Sequence, residues 1–159
     1  MTPIARTRIY FLLSYFCFGL LAFALWLQHV ERLAPCPLCI LQRYAFFGAG
    51  VFFLLSGLFG GALARSGLWV SALIAAAGAA VAGRHVYVLY NPSVSCGLDP
   101  VEDFVNSLPP AQWFPQAFFA DGACGAKLPP IFGLDIPEWS LLWLCVLAVV
   151  AVLLSLRRG

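Results

Sequence analysis

Four long stretches of the chain are almost without charge, and the polar positions that separate them are few and unevenly placed. The stretches run approximately over 9–28, 40–63, 68–89 and 139–156. Each is close to the ~20 residues a helix needs to cross the hydrocarbon layer of a bilayer. The pattern predicts an all-α membrane protein, a single domain built as a four-transmembrane-helix bundle. Two loops, about 29–39 and 90–138, lie on one side of it.

Composition supports the same reading. The 159 residues are 62% hydrophobic and only 10% charged, with a mean hydropathy of +0.91, whereas a soluble domain carries about 25% charged residues. A core of this size could not hide so much apolar surface from water, so lipid must be the solvent for most of it. A net charge of +2 with no cluster of Lys and Arg speaks against nucleic acid as a partner. The placement of the charges is more informative than their sum. All the acids (Glu31, Asp99, Glu102, Asp103, Asp121, Asp135 and Glu138) fall in the two expected loops. Arg6, Arg8, Arg65, Arg157 and Arg158 flank the other ends of the runs. Basic flanks resist translocation, which puts both termini in the cytoplasm and both loops outside. The first run is too long for the apolar part of a cleaved signal peptide and lacks a small-x-small site after it, so it is read as a retained helix.

Within this frame some segments have a structural reading only. The run of Ala75 to Ala80 and Ala82-Gly83 suits a helix packed closely on its neighbours, because small residues let backbones approach in lipid. In the long loop, Asp99-Pro100-Val101-Glu102 reads as an N-cap followed by a first helical turn, with a short helix to about Leu108. Pro109-Pro110 is expected to break it. Trp113, Phe114, Phe118 and Phe119 then suggest a segment on the bilayer surface, the competing reading being a small aromatic core within the loop.

Topology sorts the six cysteines. Cys17 and Cys145 fall within the first and fourth runs, where a thiol serves as a small apolar group. Cys36, Cys39, Cys96 and Cys124 lie on the outer, oxidising side, where disulfides persist. Cys36-Pro37-Leu38-Cys39 is a C-x-x-C, a spacing common in redox motifs. If it closes on itself, Cys96 and Cys124 are left to each other. Two structural disulfides bracing the loops would also account for the four, and zinc would want a second C-x-x-C or paired histidines. Cys39 stands at a helix start, where unpaired amides favour a negatively charged sulfur. Arg43 follows on the same helical face. A guanidinium just inside the membrane boundary is costly and points to function, either holding Cys39 as a thiolate or polarising a carbonyl acceptor. An arginine snorkelling to the interface is the bland alternative. His85, beside Arg84, falls at a similar depth near the end of the third run, where an imidazole could donate a hydrogen bond or carry a proton.

The chain resembles the disulfide bond formation protein B (DsbB) family over nearly its whole length. The resemblance is carried by Gln28-His29, Pro35-Cys36-Pro37-Leu38-Cys39-Ile40, Gln42-Arg43, Arg84-His85-Val86, Cys96-Gly97 and Gly122-Ala123-Cys124. Phe132-Gly133-Leu134 and Pro137-Glu138-Trp139 extend it. It implies a thiol:quinone oxidoreductase of the bacterial inner membrane, with redox loops in the periplasm. Cys96 would be attacked by a reduced periplasmic DsbA-like thioredoxin-fold protein. Cys124 would be its disulfide partner and would link transiently to Cys36. Cys39 would pass electrons to ubiquinone or menaquinone from the membrane quinone pool, with Arg43 and His85 at the quinone. Two positions depart from the family pattern: Ala126 and Pro129 stand where many members have an acid and a tryptophan. A vitamin K epoxide reductase-like enzyme is expected to carry its cysteine pairs in the reverse order, and a non-enzymatic membrane protein with structural disulfides would reduce no quinone, with or without Cys39.

Overall fold

A computed structural model describes residues 3–91, 93–94, 98–125 and 130–157. Seven helices follow in order: α1 Pro3–Val30, α2 Pro37–Leu58, α3 Gly61–Tyr90, α4 Leu98–Ser107, α5 Pro109–Trp113, α6 Pro115–Phe118 and α7 Ile136–Leu156. Among the described residues there is no strand, only one isolated bridge between Ile131 and Leu134. α1, α2, α3 and α7 are long and apolar enough to cross a membrane. The fold is an all-α four-helix bundle, and the chain is a multi-pass membrane protein.

The long helices outrun or fall short of the apolar runs for local reasons. α1 and α3 continue past them through Arg6, Arg8 and Arg65, because backbone hydrogen bonding does not require apolar side chains. α2 ends at Leu58 instead of reaching 63, since Phe59 and Gly60 make the turn and Gly61 enters α3 at φ 61°. The loop helices differ too. α4 starts one residue before Asp99, so Asp99 is in the first turn and not its cap. Pro109 and Pro110 open α5 instead of breaking the chain, which the missing N–H of a proline permits.

The order of packing is α1 on α2, α2 on α3, and α3 on α7. α2 is the most enclosed: half of its spanning window is buried, against 17% for α1. Small residues make this possible. A Cβ on Gly78 would lie 2.4 Å from the Cβ of Ala45 and 3.2 Å from both Leu144 methyls, so α3 touches α2 and α7 at one point. Ala75 and Ala82, one turn to either side, are fully buried. Hydroxyls bind the helices where apolar contact gains nothing over lipid: Ser14 donates to the Gly50 carbonyl at 2.9 Å and Ser71 to that of Ala49 at 3.3 Å. Cys17 belongs to this core, while Cys145 faces outward on α7. The backbones of α1 and α7 scarcely approach each other. Their seam is closed by rings, Phe16 standing edge-on to Trp143 at 4.8 Å. At one end of the seam Arg6 and Arg157 line a common cavity with Tyr10 and Leu154, so the basic flanks of α1 and α7 share one end of the bundle.

At the other end the long loop folds back on α2. Asn106 staples it by donating to the Ala120 carbonyl at 2.9 Å and accepting the Ala120 N–H at 2.8 Å. Val105 and Ala120 pack with Ile40 in a small core of their own. Phe118 stacks on Tyr44 of α2 at 4.9 Å, while Trp113 and Phe114 remain exposed. The aromatic segment is therefore divided between a loop core and an outward face.

Gly78→Ala should lower the unfolding temperature in detergent, at a cost of roughly 1–3 kcal/mol from overpacking. The control is Gly83→Ala, where the new methyl meets Leu141 at an ordinary 4.0 Å. Circular-dichroism melts that show equal shifts for both variants would refute the three-helix contact at Gly78.

Candidate functional site

Cys36 is where the first loop becomes α2. Its backbone is extended, at φ −80° and ψ 163°, and its sulfur accepts the Cys39 N–H at 3.3 Å. The first cysteine of the C-x-x-C thus caps the helix that carries the second, and Pro37 fits the first turn because it has no N–H to leave unpaired. The two sulfurs are 2.9 Å apart, Cys36 donating to Cys39, and both are free thiols. Cys36 is buried and Cys39 is partly exposed. The bond donated to Cys39 and then burial push the Cys36 thiol well above its ordinary range. Of the pair, Cys36 is the sulfur that keeps its proton.

α3 brings His85 against both sulfurs. Its Nε2 lies 3.7 Å from Cys36 Sγ and its Nδ1 4.0 Å from Cys39 Sγ. The ring is buried and both nitrogens are engaged: Nδ1 with the Gln42 amide at 3.1 Å, Nε2 with the Cys124 carbonyl at 3.2 Å. A carbonyl only accepts, so a neutral His85 carries its hydrogen on Nε2, and Gln42 donates to Nδ1. The two sulfurs and the imidazole lie within 4.8 Å of one another, a spacing a soft metal ion could use. The ring's hydrogen bonds hold it instead for contact with the loop.

Arg43 is buried one turn below Cys39. Its Nη1 donates to Gln28 Oε1 of α1 and to the Ala117 carbonyl of α6, each at 2.6 Å. Both acceptors are neutral, so the positive charge is held without being cancelled. The N–H groups on Nη2 and Nε have no partner among the described residues.

The second loop meets the first through backbone. The N–H groups of Asp121 and Gly122 both donate to the Pro35 carbonyl at 3.1 Å. Gly122 is required there, since a Cβ would fall 2.2 Å from the Ala34 carbonyl oxygen. Cys124, buried and disulfide-bonded, joins Cys36, Leu38 and Val88 in one apolar cluster. Cys96, the partner expected for it, lies outside the described residues, as do Ala126 and Pro129. The structure therefore gathers five of the six expected site residues, Cys36, Cys39, Arg43, His85 and Cys124.

Beside this group is a cavity of about 340 Å³, lined by residues of α1, α2, α3 and α7 and of the loops before α2 and α7. Cys39, Arg43, Gln28, Gln42 and His85 contribute polar groups, as do Asp135 and Ser140, and Leu20, Ala24, Leu27, Phe46, Trp139 and Trp143 are among its apolar walls. The closing helix is positioned by Glu138, which accepts the Asp135 N–H at 2.8 Å, and by Trp139, which donates to the Ile131 carbonyl at 2.9 Å.

A family model described as disulfide bond formation protein DsbB matches residues 6–154. The chain belongs to this family. It is 51% identical over 157 residues to a disulfide bond formation protein B of Ralstonia nicotianae, the alignment covering 97% of both chains. It is 47% identical to one of Cupriavidus pinatubonensis, over 97% of this chain and 96% of the relative. One of Herminiimonas arsenicoxydans is 45% identical over 139 residues, 87% of this chain and 88% of the relative. As a member of the DsbB family the chain is a disulfide-forming oxidoreductase. Gln28, Gln42 and Gly122 stand within the motifs that carry the resemblance, which implies no role for them. Two carboxamides within otherwise apolar helices were the available signal, and for Gly122 there was none beyond its place beside a cysteine.

In the reduced protein, maleimide should label Cys39 faster than Cys36, by roughly tenfold, and labelling of Cys36 should stay flat between about pH 6 and 8 because its thiol is held up. Site-resolved mass spectrometry reads both. Faster or strongly pH-dependent labelling at Cys36 would reverse the assignment of which sulfur keeps its proton.

Proposed function

We propose that the chain reoxidises a periplasmic DsbA-like dithiol protein and passes the electrons through two cysteine pairs to a quinone of the bacterial inner membrane. The observation that carries this reading is the cavity itself. One exchangeable sulfur, Cys39, lines a largely apolar cavity, and the loop cysteine Cys124 packs on Cys36 beside it. In this reading the basic ends of the bundle are cytoplasmic, as the positive-inside rule requires, and the cysteine end is periplasmic.

The donor set fits a quinone: a guanidinium and a carboxamide at the polar end, with aliphatic and aromatic walls elsewhere. Ubiquinone or menaquinone bound there supplies a two-electron, two-proton acceptor. The chain's own residues do the rest by thiol–disulfide exchange. A thiolate of the protein partner attacks Cys96, its bond to Cys124 breaks, and Cys124 leaves as a thiolate. Cys124 attacks Cys36 of an oxidised Cys36–Cys39 pair, and the electron pair of the broken bond leaves on Cys39. The second thiol of the partner then displaces Cys96 and closes the partner's disulfide. Arg43 stabilises the anionic Cys39 and orients a carbonyl in the cavity, at a depth where water screens neither. His85 lines the same space, but with both ring nitrogens engaged it acts on a ligand only by giving up one of those bonds.

Purified protein in lipid nanodiscs, with a reduced thioredoxin-fold oxidase and short-chain ubiquinone, should bleach the quinone absorbance, and Cys39→Ser should abolish this. Arg43→Ala should raise KM for quinone roughly tenfold or more, the scale of a lost charged hydrogen bond, with KM for the protein partner within about twofold. Wild-type protein that reduces no quinone would defeat the reading, and equal effects on both KM values would remove Arg43 from the quinone end.

A further inference from the structure

We propose that Gly122 and His85 form a latch that holds Cys124 against Cys36, so that the two cysteine pairs exchange at a preset distance. The inference rests on the relay proposed above and adds the residues that position one pair on the other.

Three observations carry it. The Pro35 carbonyl, adjacent to Cys36, accepts two N–H groups from Asp121 and Gly122, just before Cys124. The contact is backbone to backbone, and Gly122 admits it only because it lacks a side chain: the Cβ of any other residue would strike the Ala34 carbonyl. Second, one imidazole spans both partners, its Nε2 3.2 Å from the Cys124 carbonyl and 3.7 Å from Cys36 Sγ. Gln42 donates to the opposite nitrogen and so keeps the His85 hydrogen aimed at the Cys124 carbonyl. Third, Cys36 and Cys124 are each 2% exposed and share one apolar cluster, so little water competes in the exchange. The three hydrogen bonds of the latch, two to the Pro35 carbonyl and one to the Cys124 carbonyl, use no sulfur atom.

The chemistry explains why a latch helps. A Cys124 thiolate must meet the Cys36 sulfur so that the Cys36–Cys39 bond breaks and Cys39 departs with the electron pair. A loop on a flexible tether supplies an effective concentration of the order of millimolar. Three hydrogen bonds that fix its approach raise that value, each by roughly fivefold. Gly122, His85 and Gln42 are positioning residues in this step.

The test uses the full chain carrying Cys39→Ser and Cys96→Ser in nanodiscs, equilibrated with graded ratios of reduced to oxidised glutathione. There Cys36 displaces glutathione from its mixed disulfide on Cys124, and one oxidised glutathione becomes two reduced. Mass spectrometry of the Cys36–Cys124 fraction yields the effective concentration. Adding Gly122→Ala, which forces both bonds to the Pro35 carbonyl apart, should lower it roughly 25-fold, and His85→Phe, which removes one bond, roughly fivefold. Gly125→Ala, where a methyl meets open space, should leave it unchanged. Values within about twofold of the parent for His85→Phe, and for Gly122→Ala with native helicity, would overturn the latch. A fall for Gly125→Ala as large as that for Gly122→Ala would do the same. The readout involves neither quinone nor protein partner, so loss of the latch and failure of the relay register in different assays.

Discussion

Polar groups buried among helices that face lipid have no water to fall back on, and the cysteine end of this bundle is organised by that constraint. An imidazole, a guanidinium and two carboxamides are enclosed there. Gln42 serves His85, Gln28 serves Arg43, and carbonyls of the outer loop serve both. Each unsatisfied member would cost several kcal/mol in hydrocarbon. The same bonds that satisfy the side chains therefore also help to fasten the loop. Fold stability and site assembly are, at this end, one set of interactions.

The half of the bundle away from the cysteines solves a different problem. With no hydrophobic drive between helix and lipid, α2, α3 and α7 are drawn together by close backbone approach at Gly78, and hydroxyls of α1 and α3 reach across to carbonyls of α2. This half is apolar and tightly packed, and the exchangeable groups stand clear of it. The division has a chemical benefit. Disulfide exchange and loop movement at one end leave the contacts that hold the spans together untouched.

Much of this could be read from residue order alone. Lipid tolerates only closed hydrogen bonding, so apolar length reports the four spans directly, and a C-x-x-C at a helix start with Arg43 one turn on is too costly a pattern to be incidental. Helix ends were harder. α1 and α3 run on through arginines because charge at a span's end is solvated, and no apolar signal marks where they stop. Pro109-Pro110 is ambiguous in principle, since proline both ends one helix and begins the next. The partners of His85 escaped notice for a further reason. Its contacts come from residues 42 and 124, and only the folded chain shows that Gln42 meets one side of the ring and a loop carbonyl the other. Gly122 is a similar case: its role lies in what its absent side chain would have hit.

In the proposed reading, the seam between α1 and α7, bridged by rings instead of backbone contact, sets the terms on which an oil-soluble ligand reaches Cys39. A ligand that arrives sideways is dosed by its mole fraction in the surrounding lipid or detergent, and its bulk molarity is nearly irrelevant. Diluting the protein with more micelles, at fixed ligand, would then weaken apparent binding as surely as removing ligand does. Affinities for this site are comparable between preparations only when expressed per mole of amphiphile.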